Sequence, residues 1–273
     1  EITRMYNTYY SPNRVANGNF AQIGNEEVTN GDFSQEGSEL VTNGDFATDS
    51  NWNNNVGNDW QIVNGKLILT TTSPNNIAQG IGLVQNKFYK IVFTISNTTL
   101  GGVRIRLGTG SFSSTYTDGT HTLYLQQTTT NDAFRFYADS SGVFNGEIDN
   151  VSVKEVGQDW TFDTGWGMGD DLAECDGTQS TFSYLTQSGL GISDKFYEIK
   201  FSVTRSSGAL RPQFVGGTSG VSASDIQSSG EYTIYMQPVD NTTFRFRANS
   251  SFVGSIDNIS VKEVGQHWTF GTG

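Results

Sequence analysis

The residues IDNVSVKEVGQDW at positions 148–160 recur as IDNISVKEVGQHW at positions 256–268. Two other stretches repeat at nearly the same offset: FYKIVF at 88–93 matches FYEIKF at 196–201, and AFRFYADSS at 133–141 matches TFRFRANSS at 243–251. A fixed period carried by several separated segments indicates tandem modules. We therefore expect homologous modules at 39–156 and 157–264, with 265–273 either starting a third repeat or closing the second module.

Within each module, apolar residues recur with a period of two. Val103, Ile105 and Leu107, for example, are separated by arginines. Runs of this kind are divided by Asn-Gly, Asp-Gly and Gly-Gly turns, and no window has the spacing of an amphipathic helix. About eight short strands in a module of roughly 110 residues predict a two-sheet antiparallel sandwich, most economically a jelly roll.

Three near-copies of one motif, here called the NGxF motifs, surround the start of the first module. They are the evenly spaced segments VANGNF at 15–20, VTNGDF at 28–33 and VTNGDF at 41–46. The third copy lies where the first module needs an opening strand, whereas the second module has no such segment. The sequence thus predicts an all-β protein with two tandem antiparallel β-sandwich (jelly-roll) domains. They are preceded by an extended, strand-donating N-terminal arm, 1–38, with two spare NGxF strands.

A sandwich that lacks one strand leaves backbone groups unpaired and an apolar groove open. An extended segment bearing Val and Phe can fill such a groove by strand addition. The candidate acceptor groove is lined by Ile256, Ile259 and Val261, and the candidate assembly residues are Val15, Phe20, Val28, Phe33, Val41 and Phe46. Two other interpretations stay open: strand pairing within one molecule, and a disordered tail, which the Asn, Gly and Glu content of 17–39 favours.

Composition excludes several classes of function. The 273 residues include 16 basic and 28 acidic side chains, a net charge of −12, whereas nucleic-acid binding needs clustered Lys and Arg. No apolar run approaches the ~20 residues of a membrane span. Of the two histidines, His267 stands where the preceding repeat has Asp159, which is a poor position for acid–base chemistry. We expect no enzyme activity and no required cofactor.

Together, NGDF, FYKIVFTIS and IDNVSVKEV resemble the jelly-roll carbohydrate-binding modules appended to secreted polysaccharide hydrolases. Similar repeats occur in surface and fibre proteins of environmental bacteria and phages. The resemblance covers about 39–264 and is more specific for fold than for function. It implies an opening NGxF strand beside the closing strand, with a structural calcium near their ends. Carried over by position, the candidate calcium ligands are Asp45, Asp149 and Asp257.

Further candidates are Trp60 and Trp166 for glycan stacking, and the sequon residues Asn97, Asn241 and Asn249 for glycosylation in a secretory route. The first functional hypothesis is a structural protomer of an extracellular or virion-surface filament, a homo-polymer joined head to tail by strand donation. The alternative is a pair of carbohydrate-binding modules from a phage receptor-binding fibre or a secreted polysaccharide hydrolase; a third is an adhesin spacer. The spare motifs favour the filament, because sugar binders and spacers need none.

Overall fold

The computed structural model describes residues 15–54, 59–69, 76–190, 195–218, 220–240 and 242–268, which form β-strands and no helix. The arm and first module contain β1 (Ile23–Glu26), β2 (Asn53–Asn54), β3 (Trp60–Val63), β4 (Lys66–Leu69), β5 (Asn76–Gly80), β6 (Phe88–Gly101), β7 (Val103–Leu107), β8 (Gly119–Gln126), β9 (Ala133–Ala138) and β10 (Phe144–Val156). The second module contains β11 (Thr161–Phe162), β12 (Trp166–Met168), β13 (Ala173–Cys175), β14 (Ser183–Ser188), β15 (Phe196–Ser207), β16 (Leu210–Val215), β17 (Val221–Ser222), β18 (Gly230–Met236), β19 (Thr243–Ala248) and β20 (Val253–Val264).

Each module is a sandwich of two antiparallel sheets, and the strand orders correspond except that the second module has one additional edge strand, β17. In the first module, the sheets run β3-β4-β10-β6-β8 and β2-β5-β9-β7. In the second, they run β12-β13-β20-β15-β18 and β11-β14-β19-β16-β17. The predicted pair of tandem jelly rolls is thereby confirmed. We call the sheets that contain β10 and β20 the closing sheets, and the others the opposite sheets.

Because the apolar residues recur with a period of two, alternate residues of a strand lie on the inner and outer faces of its sheet. In β7, Val103, Ile105 and Leu107 are buried between the sheets, while Arg104 and Arg106 point outward. Phe244 and Phe246 of β19 are fully buried in the same way. Burying such a side chain stabilises a fold by roughly 1.5–3 kcal/mol. Alternation therefore fixes which residues form the core.

The NGxF motifs are tight turns rather than the strands that the sequence predicts. In the 28–33 motif, Asn30 and Phe33 have φ angles of 49° and 54°, and the Phe33 amide donates to the Asn30 carbonyl at 3.3 Å. The other two copies have the same φ signs and the same hydrogen bond. Asn tolerates positive φ, Asn and Gly both favour turns, and a turn of this kind ends strand geometry.

The arm does contribute a strand, but that strand lies between motifs and pairs within the same chain. β1 pairs antiparallel with the end of β20, where Ile23 faces Val264 and Glu26 faces Lys262. One motif repeat after Ile23, Glu36 forms the corresponding bridge to Val156 at the end of β10. The arm therefore crosses the end of each module in turn, as the interpretation of pairing within one molecule requires.

The two modules share a packed junction. Phe88 of the first module contacts Phe162 of the second, with ring centroids 4.9 Å apart, and belongs to the second module's core. The Tyr124 hydroxyl donates to Asp170 across the junction at 2.7 Å. Burial, together with this hydrogen bond, raises the pKa of Tyr124 to about 12. The end of the first module is thus covered by the second.

Candidate functional site: the NGxF docking positions

Each NGxF motif docks on one tryptophan, and the order of the motifs is the reverse of the order of the tryptophans. The ring centroids are 5.3 Å apart for Phe46 and Trp52, 5.5 Å for Phe33 and Trp160, and 5.1 Å for Phe20 and Trp268. We call the Phe46–Trp52 pair the module-1 site and the Phe33–Trp160 pair the module-2 site. The Phe20–Trp268 pair is called the stub site, because Trp268 lies in the short segment 265–273 after the second module. In each, the indole Nε1 donates to the motif's Asn carbonyl, at 3.0 Å (Asn43), 2.9 Å (Asn30) and 3.0 Å (Asn17).

The motif's glycine lets its turn lie directly on the closing strand of its module. The Ile259 amide donates to the Gly31 carbonyl at 2.8 Å, and the Val151 amide donates to the Gly44 carbonyl at 2.8 Å. A Cβ added at Gly31 or Gly44 would lie 2.0 Å from the Ile259 or Val151 carbonyl oxygen. No side chain fits there, so glycine is required for docking at these two sites.

In both modules, a buried glutamine side chain forms two hydrogen bonds with the backbone of the motif. The Gln79 side chain accepts a hydrogen bond from the Thr42 amide at 2.8 Å and donates to the Thr42 carbonyl at 2.9 Å. Gln187 makes the same pair of bonds with Thr29, at 2.8 and 2.9 Å. Neither glutamine was predicted from the sequence, although the two occupy equivalent positions in the two repeats.

Two glutamates bind the closing strands and were also not predicted: Glu26 in the arm and Glu39 at the start of the first module. Glu39 accepts hydrogen bonds from the Val153 amide at 2.8 Å and the Ser152 hydroxyl at 2.5 Å. One motif repeat earlier, Glu26 accepts them from the Val261 amide at 2.6 Å and the Ser260 hydroxyl at 2.7 Å. Carboxylates that accept from amides and hydroxyls make charge-assisted bonds, stronger than neutral ones. The short period of the arm was the signal that could have identified them.

The stub site is half complete. Phe20 is 51% exposed and Trp268 is 42% exposed, whereas Phe33 and Trp160 of the module-2 site are 1% and 6% exposed. The nearest atoms to a Cβ added at Gly18 belong to Val15, at 3.4 Å, and are not those of a closing strand. The described residues thus provide the motif and tryptophan of a third docking site without the module body that surrounds the other two.

The predicted assembly residues divide between these sites. Val28, Phe33, Val41 and Phe46 are buried against modules of the same chain, whereas Val15 and Phe20 are exposed at the stub site. Two residues of the predicted acceptor groove receive the arm: Ile259 bonds to Gly31, and the Val261 carbonyl accepts from the Glu27 amide at 2.9 Å. Ile256 lies further along β20 and pairs with Ala173 and Val203 instead.

The three candidate calcium ligands have different surroundings. Asp45 accepts a hydrogen bond from the Ala47 amide at 3.3 Å, and Asp149 forms an ion pair with Lys66. Asp257 accepts from the Asn258 amide at 2.5 Å. In the part of the chain that the structure describes, no group of three or more His, Cys, Asp or Glu could hold a metal ion. Calcium at these aspartates stays a prediction.

Asp257 should destabilise the fold at neutral pH. Burial raises its pKa above the ordinary 3.8, and the charges of Asp32 and Asp171 add to the rise. The folded state therefore holds the proton more tightly than the unfolded chain, and stability falls as pH rises from about 3.8 through the folded pKa. Asp257→Asn is expected to raise the melting temperature by roughly 1–3 °C at pH 7, with the gain disappearing near pH 3.

The matched control is Asp149→Asn, at the equivalent position of the first module. Because Asp149 pairs with Lys66, its loss is expected to lower the melting temperature at pH 7. Calorimetry across pH 3–7 checks both variants. A lower melting temperature for Asp257→Asn at pH 7 would contradict the argument.

Both predicted glycan-stacking tryptophans lie inside the sandwiches. Trp60 is 1% exposed and stacks on Phe144, while Trp166 is 5% exposed and packs on Phe252. Neither ring presents a face to a glycan, because both point between the sheets. Of the sequon residues, Asn97 is exposed, Asn249 accepts a hydrogen bond from the Ala209 amide at 3.1 Å, and Asn241 lies outside the described residues.

No family profile and no curated protein matches the chain. Among solved structures, it is similar to the tandem CBM22-1-CBM22-2 domain of Paenibacillus barcinonensis Xyn10C, with 11% identity over 83% of this chain and 97% of that one, and a TM-score of 0.31. The tandem CBM51 modules of Sp3GH98 from Streptococcus pneumoniae share 9% identity over 89% and 96%, with a TM-score of 0.24. Allantoicase from Saccharomyces cerevisiae shares 9% identity over 89% of each chain, with a TM-score of 0.34. Likenesses this distant carry no argument about function.

The fold and the docking sites define a tandem jelly-roll repeat protein. Its distinguishing feature is a series of three NGxF motifs, of which the copies at 28–33 and 41–46 each complete one module. The described residues contain no helix long and apolar enough to cross a membrane.

Proposed function

We propose that the chain is a non-enzymatic structural protomer of an extracellular or virion-associated filament. Copies associate head to tail, and the N-terminal arm of one copy docks on a module of its neighbour. The observation that supports this best is the open end of the second module. This end repeats, in exposed form, the surface of the first module that is buried at the junction.

The correspondence between the two ends follows from strand register. Tyr197 pairs with Met236 as Tyr89 pairs with Leu125, so Phe196 and Tyr235 correspond to Phe88 and Tyr124. Phe88 and Tyr124 contact the second module, whereas Tyr235 is 62% exposed. An open groove at this end is lined by Phe20, Ala21, Ile23, Phe196, Glu198, Tyr235, Val264 and Gly265.

The occupant that fits this end is another module of the same kind, supplied by a second copy. Exposed apolar patches rimmed by polar residues mark interaction sites. Here the contact that Phe88 and Tyr124 make within the chain indicates how a module of a second copy would pack on Phe196 and Tyr235. Because the two ends of the chain differ, such contacts are heterologous, and they build an open filament when the rotation does not close.

The first NGxF motif is the part of the arm that supports donation to a neighbour. Its Gly18 lies against no closing strand, whereas Gly31 and Gly44 lie against Ile259 and Val151. In a second copy the Ile259 and Val151 amides already bond to that copy's own Gly31 and Gly44. Docking of the first motif there therefore requires exchange with the motif that the neighbour supplies to itself. Exchange of an identical element between protomers is a low-cost route to assembly, since each contact already exists within the chain.

The alternative function, a pair of carbohydrate-binding modules, has less support in its predicted form. It relied on Trp60 and Trp166 as stacking platforms, and both are buried. A glycan would have to bind elsewhere on the modules.

Phe20→Asp tests the filament. Since Phe20 is half exposed, the introduced aspartate should leave both modules folded. It should raise the critical concentration for filament formation at least about 10-fold, which corresponds to a loss of about 1.4 kcal/mol of binding free energy per contact. Leu100→Asp, at a position that is 59% exposed on the first module, is the matched control and should leave assembly unchanged. Negative-stain microscopy and light scattering measure both.

A truncation lacking residues 1–22 removes the first motif and keeps the buried Val28 and Phe33, so it should also remain monomeric and folded. Removal of the whole arm would instead open the second module's core. Filaments of normal length from Phe20→Asp, or monomers from the unaltered chain at high concentration, would overturn the proposal.

A further inference from the structure

Lysines and arginines are distributed differently between the two sheets of each module, and among the described residues Arg205 of β15 is the one arginine on a closing sheet. All seven lysines of the sequence form ion pairs with carboxylates, and they lie on or beside the closing sheets: Lys66, Lys87, Lys90, Lys154, Lys195, Lys200 and Lys262. Six arginines lie on the outer faces of the opposite sheets, here called the arginine faces: Arg104, Arg106 and Arg135 in the first module, and Arg211, Arg245 and Arg247 in the second. Among these six, Arg211 with Asp225 is the ion pair that the described residues contain.

On the first module, the guanidinium groups stack on an aromatic ring and bond to carbonyls. Arg104 and Arg106 lie 4.3 and 4.8 Å from the centroid of the Phe112 ring. Arg106 donates to the Gly110 carbonyl at 2.7 Å, and Arg135 donates to the Gly108 carbonyl. These contacts hold the planes in place without neutralising their charge, and a guanidinium has five N–H donors, more than these bonds use.

The second module repeats the arrangement on different residues. Arg245 lies 4.0 Å from the Tyr184 ring centroid, and Arg247 lies 4.3 Å from that of Phe182. Tyr184 and Arg211 are the cross-strand neighbours of Arg247, one on each side. Phe182 is 54% exposed. Arginines over aromatic rings thus occur on the equivalent sheet of both modules, in a protein whose net charge is −12.

We propose that the arginine faces bind an acidic polysaccharide, a sugar polymer that carries carboxylate or sulfate groups. A guanidinium matches such groups with two parallel N–H donors, and stacking on an aromatic ring fixes its plane before the ligand arrives. Partly exposed aromatic rings beside the charges suit the apolar faces of sugar rings. Two equivalent faces in one chain raise the affinity for a long polymer through effective concentration. This proposal does not depend on filament formation.

The test compares two double variants with the same change of charge. Arg104→Gln with Arg247→Gln removes one stacked guanidinium from each face, while Lys200→Gln with Lys262→Gln removes two charges from a closing sheet. Calorimetric titration of the full chain uses polygalacturonate, dextran sulfate and neutral dextran as probes. We expect binding to one or both anionic polymers and none to dextran. The arginine variant should bind at least about 10-fold more weakly, and the lysine variant within about 2-fold of the unaltered chain.

The two anionic probes distinguish carboxylate from sulfate recognition. Arg247→Lys keeps the charge and loses the planar fork, so an intermediate loss of affinity supports bidentate recognition even if the double variant folds poorly. Equal losses in the arginine and lysine variants, equal binding to dextran, no binding to either anionic polymer, or tighter binding to single-stranded DNA would each overturn the proposal.

Discussion

Phe33→Ala is expected to lower the free energy of unfolding of the second module by about 3–5 kcal/mol, the usual cost of emptying a buried phenylalanine site. Phe33 is 1% exposed and packs on Trp160 in the second module's core, although the whole first module lies between the two in the sequence. Phe46→Ala should have a similar effect on the first module, where Phe46 is fully buried. Urea unfolding followed by tryptophan fluorescence measures both changes.

The control belongs to another copy of the same motif. Phe20 makes the same contact with Trp268 but is half exposed, so Phe20→Ala should cost less than about 1 kcal/mol. Equal costs for Phe20→Ala and Phe33→Ala would mean that the 28–33 motif is not part of the second module's core, contrary to the structure.

Gly31→Ala should have the second-largest effect, at least about 2 kcal/mol, because it forces the motif away from the closing strand. The added Cβ would lie 2.0 Å from the Ile259 carbonyl oxygen, a backbone atom that cannot rotate away. Gly44→Ala meets the same obstacle at Val151. Backbone strain is not a confounding factor, since neither glycine is among the residues with positive φ.

Gly18→Ala is the matched control and should be close to neutral in the monomer. Its nearest neighbours are atoms of Val15, with the closest contact, to the valine side chain, at 3.4 Å. Thermal unfolding separates the three variants. In assembled filaments, Gly18→Ala should instead weaken the contact if a neighbour's closing strand lies against it. A Gly31→Ala variant as stable as the unaltered chain would contradict the docking geometry.

The two modules could be predicted from the sequence because their information is local and repeated. Alternation at Val103, Ile105 and Leu107 encodes one buried face, and the long repeat period shows that this pattern occurs twice. The shared strand order follows from the same repeats, because homologous sequences fold into homologous sandwiches. In these segments, the local alternation pattern and the tertiary structure place the same residues in the core.

The NGxF motifs were harder to predict, because the conformation of Phe33 is set by partners distant in sequence. A phenylalanine with a φ of 54° has no local preference for that angle; the Trp160 ring and the Gln187 side chain hold the turn. The pairing itself had a signal, since three evenly spaced motifs match three tryptophans that recur at the module period. Trp60 and Trp166 failed as surface candidates because sequence does not distinguish an inward from an outward tryptophan.

The arm and the modules follow two different periods, and this constrains how the protein can change in length. Each module needs its own motif to cover its tryptophan and to occupy its closing strand, as Gly31 and Ile259 show. A duplication of one module alone would leave one tryptophan without a partner. A lengthened form therefore needs two unequal insertions, a short one of one motif repeat in the arm and a long one of a whole module after it. The number of motifs therefore limits the number of modules that can each be completed by a motif.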